Sequence, residues 1–372
     1  MLSRNHARAM RPNQHETPQE THHSRARAWI AARLITLARV YFTWLFGWAI
    51  LHALFGDRWW WLFLLNTFAV YLFFPLPLVF LIALSVRRRE TWAGLGIALA
   101  LGACLYGELF LPRFLWQSGN PLDSPTLTVM SYNVLGFNEH PEAVVAAIRT
   151  ADVDLVVLQE LNPWVAAAIQ QDLADEYPYQ VLDPQEGVTG AGAISRYPLH
   201  PADETLPGQW VGNPQILTLE FVDTSVTVLS FHTYATNFVL SAPEAIEWTV
   251  RERERQTQTA VDYITAHSGP LIVPVDFNAG DQSTAWALIT QVLTDSWREA
   301  GWGLGHTFPG ADSPGSSRYS LGPIPVPMWM LRIDYIFHSH HWRATSAQIG
   351  PWDGVSDHRP VIAELVLTAV DP

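Results

Sequence analysis

Leu127-Thr-Val-Met-Ser-Tyr-Asn-Val134 reads as a β-strand that closes on a carboxamide, and it marks the point where the chain changes character. Downstream of it, strands and helices alternate. Pro141–Thr150 reads as a short helix with proline near its start, Leu155–Leu158 as a second strand and Trp164–Asp175 as a second helix. Ile216–Phe221 and Val226–Phe231 read as neighbouring strands joined by a turn at Asp223-Thr-Ser225. Glu244–His267 is a long amphipathic helix, and its Arg251-Glu-Arg-Glu-Arg255 run is expected to be a solvated face. Leu271–Val275, Ile333–Phe337 and Val361–Leu367 complete the strands. The pattern predicts an α/β domain over residues 126–370, with neither internal repeats nor low-complexity tracts.

Upstream the sequence is of another kind. A polar tail (1–30) is followed by three apolar stretches within 31–112, at about 34–55, 59–86 and 91–111. Trp59–Val86 carries no charge over a length that crosses a bilayer with room for tilt. Arg39 interrupts the first stretch near an edge where its head group can snorkel. The Pro75-Leu-Pro77 element predicts a kink in the second, and Glu108 stands near the end of the third. No small-residue cleavage site follows a short apolar core, so the N-terminus does not read as a removable signal. Arg4, Arg8, Arg11, Arg25, Arg27 and Arg33 precede the first stretch, and Arg87, Arg88 and Arg89 separate the second from the third. The positive-inside rule then places the tail in the cytoplasm and everything after Arg113 outside, with 113–125 as a polar linker. The expected location is a cell membrane, multi-pass, with the α/β domain extracytoplasmic.

Charge follows the same division. The 372 residues contain 22 Arg and no Lys against 35 acids. Residues 1–112 hold eleven Arg and five acids, a net of +6, while 113–372 hold eleven Arg and thirty acids, a net of −19. So acidic a domain is a poor partner for duplex nucleic acid, whose affinity comes from cationic side chains displacing counterions. The single cysteine, Cys104, excludes an internal disulfide and a thiolate metal site.

Several strands end in groups that carry chemistry. Asn133 closes the first and Glu160 the second, and His232 follows Val226–Phe231. Asp276 and Asn278 follow Leu271–Val275, Asp334 sits within Arg332-Ile-Asp-Tyr-Ile-Phe337, and Asp357 and His358 precede the last strand. Ligand sites of layered α/β proteins gather at strand ends, so these residues are expected to converge. Carboxylates with a carboxamide suit a hard cation such as Mg²⁺, or Mn²⁺. By contrast, His338, His340 and His341 follow a strand and read as a polar turn.

The segments SYNVLGFN (131–138), LQE (158–160), ISRYP (194–198), SFHT (230–233), VDFN (275–278), RIDYIF (332–337) and SDHRP (356–360) occur in the order found in the endonuclease/exonuclease/phosphatase superfamily, which the domain resembles over about 126–368. The resemblance implies a four-layer α/β sandwich, two mixed β-sheets flanked by helices, here preceded by about three transmembrane helices. It implies Glu160 as the main metal ligand with Asn133 beside it, and Asp357 as a candidate for a second metal position. It further implies that Asp276 activates water and Asn278 holds a phosphate oxygen. His358 would stabilise phosphoryl charge with Asp334 fixing its ring, and His232 would protonate the leaving group. One position departs from the family: Val275 stands where glycine is usual.

The three spans, and the Gly301-Trp-Gly-Leu-Gly-His-Thr-Phe-Pro309 segment, are similar to the bacterial VanJ-like branch, associated with lipid-carrier pyrophosphate. The apolar loop Leu321–Leu331 can serve as core cover or as a lipid-facing lip. The first reading is therefore a membrane-tethered, Mg²⁺-dependent hydrolase of a phosphodiester or pyrophosphate bond in a lipid-linked substrate at the outer face. The second is a membrane-anchored extracytoplasmic endonuclease, which would need Arg251, Arg253, Arg255, Arg318 and Arg332 in one groove. The third is a phosphate-binding sensor without turnover, against which Asp276 and His358 argue. The partners expected are the bilayer and a phosphate-containing substrate, and nothing in the sequence specifies an oligomer.

Overall fold

Good helix formers, with no proline or glycine between Gln19 and Phe46, carry α1 unbroken over Pro18–Phe55. The charge-free stretch that follows is not one helix. α2 covers Trp60–Thr67, a 3-10 turn covers Ala69–Phe73, and α3 restarts over Leu76–Val86 with proline in its first turn, where the missing N–H is no loss. α4 covers Arg89–Tyr106 and runs into a 3-10 turn at Gly107–Phe110. Three of these segments are long and apolar enough to cross a membrane: Arg27–Phe55, Ala69–Val86 and Arg89–Phe110. The second begins ten residues later than the charge-free run does, because Trp60–Thr67 folds separately.

This computed structural model describes residues 18–111, 124–237, 241–311, 320–321 and 323–368, with backbone alone at 18–24, 26 and 321. Most of the polar tail, all but the end of the 113–125 linker, and Arg318 therefore lie outside the described residues. The chain forms two compact units, one running to Gly47 and including Leu72–Gly102, the other comprising Trp48–Tyr71 and Ala103 onward.

In the first unit, Arg39 does not snorkel away alone: its guanidinium donates to both carboxylate oxygens of Glu90 at 2.8 Å. Tyr41 donates to the Leu72 carbonyl at 3.0 Å. Gly94 admits the Phe42 ring, since a Cβ there would stand 2.5 Å from it. Leu37, Val40, Leu78, Leu81, Ile97 and Leu99 each leave more than half of their surface uncovered, the reverse of a water-soluble bundle.

In the second unit, β1 (Thr126–Asn133) pairs parallel with β2 (Leu155–Gln159), and α5 (Pro141–Ala151) forms the crossover. α6 (Pro163–Asp172) starts at Asn162, whose side chain accepts from Val165 N at 2.9 Å. β3 (Tyr179–Asp183) and β4 (Ala191–Ser195) extend this sheet on one side. β5 (Leu199–Pro201), β6 (Gln215–Phe221) and β7 (Thr224–Ser230) open a second sheet. α7 (Pro243–Ala266) leads to β8 (Leu271–Asp276), and α8 (Thr284–Ile289), β9 (Thr294–Asp295) and α9 (Ser296–Ala300) follow. A short hairpin, β10 (Ser320–Leu321) with β11 (Ile324–Pro325), precedes β12 (Asp334–His338), β13 (Trp342–Ile349) and β14 (Val361–Leu367).

The strand orders are β13-β14-β1-β2-β4-β3 and β5-β6-β7-β8-β12-β9. Both six-stranded sheets are mixed, and they pack with β1 and β2 against β8 and β12. Val144, Ile148, Val165 and Ile169 of α5 and α6 cover the outside of the first sheet, and Ala260 and Ile264 of α7 cover the second. This is the four-layer sandwich expected. Val275, where the family usually has glycine, is fully buried opposite Tyr335 and fills the second core.

The Arg251–Arg255 run is not wholly solvated. Arg253 lies on the buried stripe of α7, donates to the Tyr234 carbonyl at 2.8 Å and Thr236 Oγ1 at 2.7 Å, and stacks over Phe63. Burial, opposed by the charges of Asp57 and Asp276, leaves its pKa lowered to about 10.

Candidate active site

Each sheet delivers half of one site. From the first, β1 ends at Asn133, and Glu160 follows β2 in a left-handed conformation (φ 56°) that turns its side chain back over the strand ends. Ser356, Asp357 and His358 enter just before β14. From the second, β8 ends at Asp276, Asn278 follows it with φ 48°, and β12 opens on Asp334. His232 continues β7 and bridges to Asp276. All eight residues singled out from the sequence come together, and Glu160, Asp276, Asn278, Asp357 and His358 line one cleft of about 280 Å³.

The Asn133 amide nitrogen donates to Glu160 Oε1 at 3.0 Å and to Asp276 Oδ2 at 2.9 Å, tying the two sheets together. Its oxygen accepts from Leu135 N at 3.0 Å, so it is the nitrogen that faces the carboxylates. Glu160 Oε2 accepts from Gly136 N at 2.9 Å. His232 Nε2 lies 3.3 Å from Asp276 Oδ2 and 2.9 Å from Asn278 Nδ2, while its buried Nδ1 has no partner among the described residues. Asn278 N donates to Asp276 Oδ1 at 3.1 Å. Across the site, His358 Nδ1 stands 2.9 Å and 3.1 Å from the two oxygens of Asp334, and its Nε2 is 3.8 Å from Asp276 Oδ2.

Charge in this cleft is unbalanced. Four buried carboxylates, Glu160, Asp276, Asp334 and Asp357, face two imidazoles, and no guanidinium is among the cleft-lining residues described. Burial pushes Glu160 above the usual carboxylate range, with His232 pulling the other way, and burial likewise raises Asp334. For His358, burial opposes the charge, but Asp334 and Asp276 outweigh it and lift the imidazole well above its ordinary pKa, which favours the imidazolium. Ligand atoms of Glu160, His232 and Asp276 lie within 4.8 Å of one another, as do those of Asp276, Asp334 and His358. Clustered, buried, oxygen-rich and over-negative, the site has the donor set a divalent cation takes. Among the described residues these are the only such groups, and the histidines at 338–341 form none: His338 is 2.9 Å from Glu299, and the rings of His340 and His341 pack on each other.

The sequence reading passed over several supporting groups. Gly136 gives its N–H to Glu160 and cannot carry a side chain, because a Cβ would stand 2.0 Å from the Gly187 carbonyl. Its place in the SYNVLGFN segment was the available signal. Ser356 Oγ donates to the Asn133 carbonyl at 2.8 Å and accepts from His358 N at 3.0 Å, linking the last motif to the first. Thr307 hydrogen-bonds Asp334, and Phe308 packs on the His358 ring. Thr67 also lines the cleft, and nothing in its sequence context pointed there.

The architecture is shared with solved structures. The TDP2 of D. rerio, complexed with single-strand DNA product, is 16% identical with a TM-score of 0.51, covering 64% of this chain and 98% of that one. The C. elegans TDP2 structure is 16% identical with a TM-score of 0.51, covering 74% and 82%. Identities this low establish the fold and no more. No curated protein sequence matches the chain. The profile of the Endonuclease/Exonuclease/phosphatase family matches residues 130–358, more than half of the chain and every strand end that feeds the cleft, and the chain belongs to that family.

Proposed function

We propose that this protein is a membrane-tethered, Mg²⁺-dependent phosphohydrolase that cleaves a phosphodiester or pyrophosphate bond in a lipid-linked substrate at the outer membrane face. Hydrolysis rests on one observation above the others: a buried carboxylate cluster, short of positive charge, opposite a His358–Asp334 pair. Glu160, with Asn133 beside it, would hold the cation, and Asp357 would serve a second position. The cation, Mg²⁺ or Mn²⁺, supplies charge neutralisation at nonbridging phosphate oxygens. Asp276 orients the attacking water and takes its proton, and Asn278 holds a phosphate oxygen. The His358 imidazolium, kept in place by Asp334, offsets the charge that grows on the phosphoryl group. His232 protonates the leaving oxygen.

Lipid is favoured over nucleic acid by the arginines. Arg253 is buried against Phe63 and the Tyr234 carbonyl, and Arg332 is buried on Asp295. Arg251 and Arg255 are engaged by Glu247 and Glu252 on their own helix. A basic groove therefore lacks its builders among the described residues. The positive-inside pattern and the likeness to the VanJ-like branch support the outward orientation and a lipid-carrier pyrophosphate as substrate class.

The test uses the full-length protein in micelles, with polyprenyl pyrophosphate, sphingomyelin and plasmid DNA offered in parallel, with Mg²⁺ or chelator and with Asp276→Ala. Metal-dependent turnover of a lipid, lost in the variant and absent on DNA, is the expected result. Plasmid nicking without lipid turnover would make the protein an anchored nuclease.

A further inference from the structure

The segment that joins the first and second apolar spans is not a passive connector. Gly56 and Asp57 dock on the start of α8: Thr284 N donates to Asp57 Oδ2 at 2.7 Å, and Asp57 N donates to Thr284 Oγ1 at 3.0 Å. Asn66 donates to Asp57 Oδ1 at 2.8 Å and to the Gly56 carbonyl at 3.0 Å, and it accepts from Trp48 Nε1 at 3.0 Å. Phe63 packs in one buried cluster with Ile246 and Val250 of α7. These contacts fix the C-terminal end of α2 beside Gly280, where Thr67 lines the catalytic cleft together with Glu160 and His358.

Two further contacts spread the influence of this segment. Phe63 lies under Arg253, and Arg253 holds Tyr234 and Thr236, the latter another cleft residue. The Tyr71 hydroxyl donates to the Met330 carbonyl at 2.8 Å, next to Leu331, which also lines the cleft. A small cavity of about 30 Å³ shares Thr67, Gly280 and Leu331 with the cleft and is bounded on its other side by Val70, Tyr106 and Leu109. Those three residues belong to the ends of the second and third apolar spans.

We propose that the 60–71 segment is a substrate-binding wall, and that Thr67 is a specificity-determining residue admitting an amphiphile whose phosphate enters the cleft while its chain stays in the bilayer. Thr67 stands two residues before the apolar stretch Ala69–Val86 begins, so this lining residue lies within about 7 Å of chain from that stretch. The cleft supplies a matching wall of Leu135, Val188, Phe308 and Leu331 beside its carboxylates. A water-soluble diester uses the same reacting groups but has no chain to lay against Thr67, whereas a lipid has one. The proposal rests on the lipid reading above and adds a residue that discriminates between substrates sharing one reacting bond.

The experiment compares full-length wild type, Thr67→Trp, Thr67→Leu and Thr67→Ser in micelles on polyprenyl pyrophosphate and on bis(p-nitrophenyl) phosphate. The expected result is a loss of roughly tenfold or more in kcat/KM on the lipid for Thr67→Trp, carried by KM, with a smaller loss for Thr67→Leu. For Thr67→Trp the soluble diester should lose at least about fivefold less than the lipid, and an unchanged circular dichroism spectrum reports the intact fold. Thr67→Ser, which keeps the hydrogen bond to the Phe63 carbonyl, should behave as wild type. Equal loss on both substrates, or lipid turnover untouched by Thr67→Trp and Thr67→Leu, would overturn the proposal. Failure of the lipid reading shows elsewhere, as wild-type protein that hydrolyses the soluble diester and no lipid.

Discussion

Two buried ionic clusters flank β8 and β12, and they are built on opposite rules. In one, Arg332 donates to both oxygens of Asp295, and Arg298 pairs with Asp281 and Glu108. Every carboxylate there meets a guanidinium. Burial would raise Asp281, but Arg332 and Arg298 together hold it below the usual carboxylate range. In the other, Glu160, Asp276, Asp334 and Asp357 share two imidazoles, and burial drives Glu160 and Asp334 upward. Fixed counter-charges make the first cluster a brace. Missing ones leave the second poised for a cation that the fold does not itself supply.

The sharpest way to separate the two is to delete one acid from each. Asp276→Ala should lower kcat on bis(p-nitrophenyl) phosphate by about a thousandfold or more, with circular dichroism unchanged, since it removes the group proposed to activate water. Asp295→Ala should instead cost about 3 kcal/mol of stability, because it removes both short bonds to the buried Arg332 and leaves it only Asp281 at 3.4 Å, and denaturant unfolding in micelles would show it. If Asp295→Ala left stability intact while Asp276→Ala unfolded the protein, the assignment of brace and site would be reversed.

A smaller effect sharpens the contrast at the segment that closes the cleft. Asp57→Ala removes the acceptor of Thr284 N and Asn66 Nδ2, and should cost about 2 kcal/mol in the same unfolding assay. Loss below a few tenths of that value would mean that 56–67 is not braced through Asp57.

The pH dependence carries opposite signs. Asp281 has a lowered pKa in the folded protein, so its stabilisation is full above the ordinary carboxylate value of about 4 and is lost as pH falls below it. Glu160 is raised, so its ionised form penalises the fold above that raised value, and the penalty is relieved as pH falls toward about 4.3. His358 is raised too, so its contribution is full below about 6.5 and is lost as pH climbs through its higher folded value. In chelator the melting temperature should therefore rise modestly from pH 8 to pH 5 and drop below pH 4. A flat profile across pH 5–8 would count against the charge imbalance.

How much of this could be read beforehand depended on where each signal lies. The strand-end residues were legible because each follows an apolar run, as His232 follows Val226–Phe231 and Asp276 follows Leu271–Val275. β13 was not, since Arg343, Thr345, Ser346 and Gln348 break its apolar pattern, and its place is fixed by pairing with β14. Arg253 looked like its charged neighbours, and only tertiary packing on Phe63 distinguishes it. The charge-free run 59–86 concealed a helix boundary, because Trp60–Thr67 is as apolar as a span but is held by Asn66 and Asp57. Thr67 reaches the cleft through contacts far away in sequence, which no local pattern encodes.

The central claim is that the unbalanced carboxylates of the cleft take a divalent cation and use it in phosphoester hydrolysis. Calorimetric titration of metal-free, full-length protein with Mg²⁺, alongside bis(p-nitrophenyl) phosphate hydrolysis, tests it most directly in wild type and Glu160→Gln. The account predicts saturable binding that restores hydrolysis in step, with at least about tenfold weaker binding in the variant. Full hydrolysis in excess chelator, or a Glu160→Gln protein that binds and turns over like wild type, would contradict it.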